Sequence, residues 1–163
     1  MEKQNPDCLE GLNVGIGEYK TRTTQISSIG LGSCVAFILY DRKLKMGGLA
    51  HVMLPESNGR SERPGKFADT AVPHLICEME KRGSSRRSLS ASLVGGASMF
   101  QQFKGNLDIG KRNICALKEH LSKSGIPLES EDTGGTSGRS VHFFPEDGGK
   151  IIIRRADGKC YEL

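Results

Sequence analysis

The chain has 163 residues, a formal net charge of +4 and an isoelectric point near 8.8. This length predicts one domain that is large enough to bury a core. The weak and scattered positive charge argues against a nucleic-acid-binding protein. The five cysteines form no CxxC pair and no zinc-like spacing with the four histidines, so the sequence predicts no metal site.

The N-terminal residues and the apolar stretches indicate where in the cell the protein is expected. The first residues contain no apolar core of a signal peptide. The longest apolar stretches are single strands, far shorter than the roughly 20 residues of a spanning helix. An odd number of cysteines without a secretory signal favours free thiols. We therefore expect a cytoplasmic protein without membrane insertion, with an N-terminal tail over residues 1–11 and one domain over residues 12–163.

The first half of the chain predicts four strands and one helix. The strands cover residues 12–19, 23–29, 35–40 and 48–54, and the helix covers residues 70–82. Four apolar residues at helical spacing predict the buried face of this helix: Val72, Leu75, Ile76 and Met79. Thr70 is the expected N-cap. Pro73 then falls in the first turn, where the missing N–H group costs little.

The second half predicts a strand over residues 89–94, a helix over residues 111–124 and a short strand over residues 128–132. A terminal hairpin joins residues 139–144 to residues 150–155. The second helix directs Ile114, Leu117 and Leu121 inward, and Cys77 and Cys115 are expected in the core. The sum is an α/β domain with a mixed, largely antiparallel sheet and two main helices.

One cysteine and one histidine are predicted to meet. Cys34 follows a glycine-containing turn and begins the third strand, while His51 lies in the fourth. A turn near Arg42 and Lys43 would place the two residues directly opposite each other, with side chains on one face and Cβ atoms about 5 Å apart. A thiol beside an imidazole is the arrangement that activates a nucleophilic cysteine.

The residues around this pair fit acyl transfer. Gly30 and Gly32 allow a sharp bend, so that backbone N–H groups, including that of Cys34, can form an oxyanion hole. A third group must orient the histidine, and spacing does not choose among the hydroxyls of Ser27, Ser28 and Ser33. The alternative is that Cys34 is a small buried apolar residue and His51 a satisfied polar one. The residues alone therefore indicate cysteine-dependent chemistry on an amide or ester as one hypothesis.

Several separated segments resemble one family, the chemoreceptor glutamine deamidases of the CheD type. The likeness begins after the first dozen residues and includes a glycine-rich turn, a histidine strand and five further motifs. The segments are Val14–Tyr19, Gly30–Val35, Gly48–Pro55, Pro64–Pro73, Gly95–Phe100, Ile109–Ile114 and Glu131–Gly135. Their order along the chain makes this resemblance far more specific than one short pattern.

The resemblance implies a layered α/β sandwich and a protein-glutamine glutaminase that uses no metal or organic cofactor. Its substrates would be glutamines in the cytoplasmic helices of methyl-accepting chemotaxis receptors, and a CheC-type phosphatase would be a further partner. The family's nucleophile falls on Cys34 and its base on His51. The family's third position, typically threonine, falls on Ser28, with Gly32 and Ser33 in the oxyanion turn. Serine keeps the hydroxyl but lacks the methyl group that restricts χ1.

Two other functions remain open at this point. A non-catalytic chemotaxis adaptor would bind receptors or a CheC-type phosphatase without using the cysteine. A general cysteine protease or esterase is the third reading, although its sequence signatures are absent. His74, His120 and His142 have no predicted partners and are interpreted as structural or surface residues.

Overall fold

The fold combines ten strands with two helices in the part of the chain that the structure describes. This computed structural model describes residues 12–60, 62–98 and 108–163. In chain order the elements are β1 (Leu12–Asn13), β2 (Tyr19–Arg22), β3 (Ile26–Leu31), β4 (Val35–Asp41), β5 (Met46–Val52), α1 (Ala68–Lys81), β6 (Leu89–Gly95), α2 (Ile109–Ser124), β7 (Leu128–Thr133), β8 (Arg139–Phe144), β9 (Lys150–Arg155) and β10 (Cys160–Glu162). The predicted tail with Cys8, and the motif residues Met99 and Phe100, lie outside the described residues.

The strands form two five-stranded sheets. The first has the order β1-β3-β8-β9-β10, and the second has the order β2-β5-β4-β6-β7. Parallel pairs join β1 to β3 and β6 to β7, and the other pairs are antiparallel. The predicted α/β class with two main helices is confirmed, although the strands divide into two sheets rather than forming one.

The second sheet is the middle layer of the domain. Along β4, Phe37 and Leu39 belong to the core shared with the two helices, whereas Ala36 and Ile38 belong to the core shared with the first sheet. Successive side chains of a strand point to opposite faces, so each face of β4 contributes to a different core. All seven residues of β4 and of β5 are consequently buried. This explains why β4 reads as a continuous apolar run from Val35 to Tyr40.

The prediction of one continuous strand over residues 12–19 is wrong. Residues 12–19 divide into β1, on the first sheet, and β2, on the second. The break contains Gly17, whose φ of +77° is a left-handed conformation that favours glycine. The segment therefore crosses from one sheet to the other, which brings its backbone alongside β3 and β5. The next strand, β3, begins at Ile26 and not at residue 23.

Helix α1 begins two residues before its predicted start. Phe67 is the N-cap residue, and Thr70 lies inside the helix, where its Oγ1 donates to the carbonyl oxygen of Pro64 at 2.6 Å. Pro73 is therefore in the second turn, not the first, and removes one hydrogen bond of the helix. The predicted buried face of Val72, Leu75, Ile76 and Met79 is confirmed.

Helix α2 also begins two residues earlier than predicted. Asp108 accepts a hydrogen bond from the N–H group of Lys111 at 3.1 Å, and Gly125 ends the helix with φ of +70°. Leu117 and Leu121 are buried as predicted, and Ile114 is partly buried against the same core. Cys77 and Cys115 are exposed, so their predicted place in the core is wrong. Neither helix combines the length and the apolar character that crossing a bilayer requires, within the described residues.

Candidate active site

Cys34 lies at the end of the turn that joins β3 to β4. It is half-buried and packs at the edge of the core between the two sheets. The carbonyl oxygens of Gly32 and Cys34 accept hydrogen bonds from the N–H groups of Ala97 at 2.9 Å and Gly96 at 2.8 Å. A side chain at Gly95 would collide with the Cys34 carbonyl oxygen, so this close approach requires glycine. The segment after β6 therefore fixes the direction of the Cys34 turn.

The backbone N–H groups of the Cys34 turn differ from its carbonyl oxygens, because they form no hydrogen bonds within the described residues. No acceptor is hydrogen-bonded to the N–H groups of Gly32, Ser33 or Cys34 in residues 12–60, 62–98 and 108–163. In contrast, the carbonyl oxygens of Gly32 and Cys34 accept hydrogen bonds from Ala97 and Gly96, and that of Ser33 accepts one from Asn113. Three successive free donors beside a thiol are the arrangement that can bind a developing negative charge on oxygen.

The pairing of Cys34 with His51 differs from the prediction. His51 lies directly opposite Ala36, so Cys34 is two residues beyond the predicted position. The β4–β5 connection is two residues longer than expected, since Asp41 pairs with Met46 and not with Leu44. Within it, Asp41 Oδ1 accepts from the N–H groups of Lys43 and Leu44 at 2.9 and 3.1 Å. A shift of two keeps both residues on one face of the ladder. Cys34 is thus a diagonal neighbour of His51, a separation of about 7–8 Å between the backbones that side chains can span.

The imidazole of His51 is held by its Nδ1 atom. Ser28 Oγ lies 2.9 Å from Nδ1 and donates its own hydrogen to the carbonyl oxygen of Val14, also at 2.9 Å. The Val14 oxygen lies 3.3 Å from Nδ1 as well. Because a carbonyl oxygen only accepts, and because the Ser28 hydrogen is already donated, Nδ1 carries the proton of the neutral ring. Nε2 is then the unprotonated nitrogen.

The Nε2 atom of His51 is buried and has no hydrogen-bond partner among the described residues. In particular, no hydrogen bond joins it to the Cys34 thiol. Burial lowers the pKa of His51 below its usual value, partly offset by the Val14 carbonyl and the Glu18 carboxylate. Burial also raises the pKa of the Cys34 thiol. At neutral pH the resting pair is therefore a neutral thiol beside a neutral imidazole with a free lone pair.

The other two hydroxyls considered above are not bonded to His51. Ser27 Oγ lies 2.8 Å from Nδ1 of His142, its cross-strand neighbour on the outer face of the first sheet. The Ser33 hydroxyl forms no hydrogen bond with His51 among the described residues, and the backbone carbonyl of Ser33 accepts from Asn113. Of the three candidates, Ser28 alone is brought to His51, because adjacent residues of β3 point to opposite faces.

Acid is expected to destabilise this protein through His51 and His142. Burial lowers the pKa of both imidazoles, and Arg154 lowers that of His142 further. The unfolded chain therefore binds more protons than the native protein below about pH 6.5, and stability falls as pH drops through the native pKa values. Denaturant titrations should give a lower free energy of unfolding at about pH 5 than at about pH 7.5. The double variant His51→Gln, His142→Gln should lose part of that difference, and an unchanged difference would contradict this assignment.

Two structural features of the site were not predicted from the sequence. The Val14 carbonyl reaches His51 only because the chain crosses between the sheets after β1. Asn113 Nδ2 contacts the carbonyl oxygens of Ser33 and Met53. Asn113 belongs to a motif that carries the family resemblance, but no local signal indicated its contacts.

Comparisons with known proteins agree on one family. The family model described as CheD chemotactic sensory transduction matches residues 53–155. The chemoreceptor glutamine deamidase CheD of Thermotoga maritima is 48% identical over 147 residues, covering 89% of this chain and 92% of that protein. The probable chemoreceptor glutamine deamidase CheD of Methanococcus vannielii is 52% identical over 128 residues, covering 78% and 82%. The solved structure of Bacillus licheniformis hypothetical protein YfiH covers 69% of this chain and 48% of that one, with a TM-score of 0.41 and 12% identity.

The longer alignment includes the candidate site. Because it leaves only 11% of the chain uncovered, it spans Ser28, Cys34 and His51 wherever its two ends lie. The family model matches more than half of the chain, starting just after His51. The resemblance seen in the sequence is therefore confirmed, and the chain belongs to the CheD family.

Proposed function

We propose that this protein is a protein-glutamine deamidase of chemotaxis receptors. It hydrolyses selected glutamine side chains in the receptors' cytoplasmic helices to glutamate and ammonia, with Cys34 as nucleophile, His51 as base and acid, and Ser28 as the residue that orients His51. The names of the relatives support the reaction and the receptor substrate. The observation that carries the assignment of residues is the imidazole of His51, held at Nδ1 and unpaired at Nε2 on the face it shares with Cys34.

The first half of the reaction transfers the acyl group to the enzyme. His51 Nε2 takes the proton of the Cys34 thiol, and the thiolate attacks the carboxamide carbon of the substrate glutamine. The N–H groups of Gly32, Ser33 and Cys34 stabilise the oxyanion of the tetrahedral intermediate. The intermediate collapses as the imidazolium donates its proton to the nitrogen, so that ammonia leaves and a γ-glutamyl thioester remains.

The second half hydrolyses the thioester. A water enters the position that ammonia has left, and His51 Nε2 accepts its proton as the oxygen attacks the thioester carbon. The same backbone donors stabilise the second intermediate. Its collapse releases glutamate and returns the proton to the Cys34 sulfur. No step requires a metal or an organic cofactor.

Ser28 orients the imidazole in place of the family's usual threonine. Serine has a freer χ1 angle than threonine, but its hydroxyl is restrained here by two partners, Val14 and His51. The hydroxyl therefore keeps one direction without the methyl group. Its contribution is to hold the Nδ1–H tautomer, which leaves Nε2 as the base.

The proposed substrate also implies a location and partners. Receptor cytoplasmic helices are reached only by a cytoplasmic enzyme, so we place the protein there. The CheC-type phosphatase implied by the resemblance remains a predicted partner, to be tested by binding measurements with the purified proteins.

Cys34→Ala is expected to abolish deamidation, lowering the rate by at least about 10³-fold because no nucleophile remains. The protein is incubated with a receptor cytoplasmic fragment, and glutamine-to-glutamate conversion is followed by peptide mass spectrometry. Cys115→Ala is the matched control, since Cys115 is an exposed cysteine on α2. It should convert receptors at the wild-type rate.

Two outcomes would contradict this function in different ways. Conversion that persists in Cys34→Ala would contradict the cysteine mechanism. Receptor binding without conversion by the wild-type protein would instead support the non-catalytic adaptor.

A further inference from the structure

We infer that Asn113 is a positioning residue that holds the Cys34 turn against the end of the His51 strand. This inference rests on the proposed function. The Asn113 side chain is fully buried, and its Nδ2 atom donates to the Ser33 carbonyl oxygen at 3.1 Å and to the Met53 carbonyl oxygen at 3.0 Å. Ser33 directly precedes Cys34, and Met53 follows His51 by two residues. One side chain from α2 thus joins the two segments that carry the reacting groups.

Asn113 completes a set of contacts on the Cys34 turn. The carbonyl oxygens of Gly32 and Cys34 are bound by the backbone of residues 96–97, and that of Ser33 is bound by Asn113. All three carbonyls are therefore held by the segment after β6 and by α2. Among these contacts, only the one from Asn113 is made by a side chain. The same side chain also binds the Met53 carbonyl oxygen, just after the His51 strand.

The start of α2 is itself fixed against that segment. A Cβ atom on Gly110 would lie 2.6 Å from the Ala97 carbonyl oxygen, closer than real Cβ atoms approach. The glycine lets the first turn of α2 contact the backbone after β6 directly. This contact sets the depth at which Asn113, three residues later, reaches between Ser33 and Met53.

The orientation of the Asn113 amide follows from its partners. Both contacts are with carbonyl oxygens, so the nitrogen must face them, and both of its hydrogens are used. The Oδ1 atom is buried without a hydrogen-bond partner among the described residues. An unpaired buried acceptor lowers stability. The amide therefore does not contribute through complete hydrogen bonding of its own atoms. What it provides is a fixed distance between the Cys34 turn and the end of the His51 strand, which supports a role in the geometry of the site.

The test measures two reactions in Asn113→Leu, a neutral variant of similar size that cannot donate. Deamidation should slow by about 10²-fold, the effect expected when a reacting group is displaced by about 1 Å. Alkylation of Cys34 by iodoacetamide should instead become severalfold faster, because a freed turn exposes the thiol and lowers its raised pKa. Peptide mass spectrometry separates Cys34 from the exposed Cys115, whose alkylation should not change.

Leu117→Ala is the matched control. Leu117 is buried on α2 one turn beyond Asn113 and contacts neither segment of the site through a hydrogen bond. It should lower stability without reproducing the opposite changes in the two rates. Asn113→Ala, in which water can reach the two carbonyls, serves if the leucine variant does not fold.

The outcomes decide the inference independently of the deamidase activity. Faster alkylation confined to Cys34 in the Asn113 variants supports the positioning role even if no receptor is converted by the wild-type protein, a result that would overturn the proposed function alone. Unchanged alkylation of Cys34, or the same change in Leu117→Ala, would overturn the positioning role.

Discussion

Replacing His51 with glutamine is expected to slow deamidation by about 10²–10⁴-fold, the contribution of a positioned acid and base. Glutamine has a similar reach and can bond to Ser28, but it cannot take up and return a proton. The loss should be large here because burial raises the pKa of the Cys34 thiol, so little thiolate forms without a base. The rate is measured as glutamate formation in a receptor cytoplasmic fragment.

His142→Gln provides a control with closely matched surroundings. His142 is also buried, its Nδ1 also lies close to a serine hydroxyl, at 2.8 Å, and burial also lowers its pKa. It lies on the outer face of the first sheet, away from Cys34. Its replacement should leave the rate unchanged, and equal losses in the two variants would contradict the assignment of His51 as the base.

The pH dependence of the remaining activity distinguishes a base from a merely structural residue. In the wild-type protein the rate should fall in acid as His51 becomes protonated, at a pH below the ordinary value for histidine because burial lowers its pKa. In His51→Gln this acidic limb should be absent. The rate should rise with pH as the Cys34 thiol ionises.

Asp132→Asn is expected to reduce the free energy of unfolding by about 3–5 kcal/mol, since it leaves a buried cation unpaired. Asp132 Oδ1 accepts from Arg139 Nη1 at 2.6 Å, and Tyr161 donates to its other oxygen. The Arg139 side chain is only 7% exposed and also donates to the carbonyl oxygens of Gly134 and Ser137. Chemical denaturation monitored by circular dichroism measures the change.

The control is an exposed ion pair on the same strand. Glu129 of β7 pairs with Arg42 at 3.0 Å, with side chains that are 51% and 68% exposed. Glu129→Gln should change the free energy of unfolding by less than about 1 kcal/mol, because water screens the pair. Similar effects of the two substitutions would show that the Arg139 network does not stabilise the fold as described.

This network also supports the candidate site. Arg139 holds the loop after β7, whose Gly134 N–H group donates to Gly95 and whose Gly135 carbonyl accepts from Ser98. These residues flank the segment that fixes the Cys34 turn. Asp132→Asn should therefore lower activity as well as stability, through the position of that segment.

Much of the fold followed from local pattern. The buried face of α1, the glycine that ends α2 and the terminal hairpin were predicted because each depends on residues close together in the chain. The predictions that failed depend on distant contacts. The strand at residues 12–19 divides because two sheets compete for it, and Cys77 and Cys115 are exposed because the core covers only one face of each helix.

The sequence by itself determined that Cys34 and His51 lie on one face of neighbouring strands, since a hairpin fixes which side chains share a face even when its register shifts by two. The tertiary structure decided what surrounds them. Ser28 lies on β3 of the other sheet, and Val14 lies just after β1 of that sheet. Asn113 lies on α2, 80 residues along the chain from Ser33 and 60 from Met53. Their contacts depend on how sheets and helix pack, which no local pattern encodes, and they set the tautomer of His51 and the direction of the Cys34 turn.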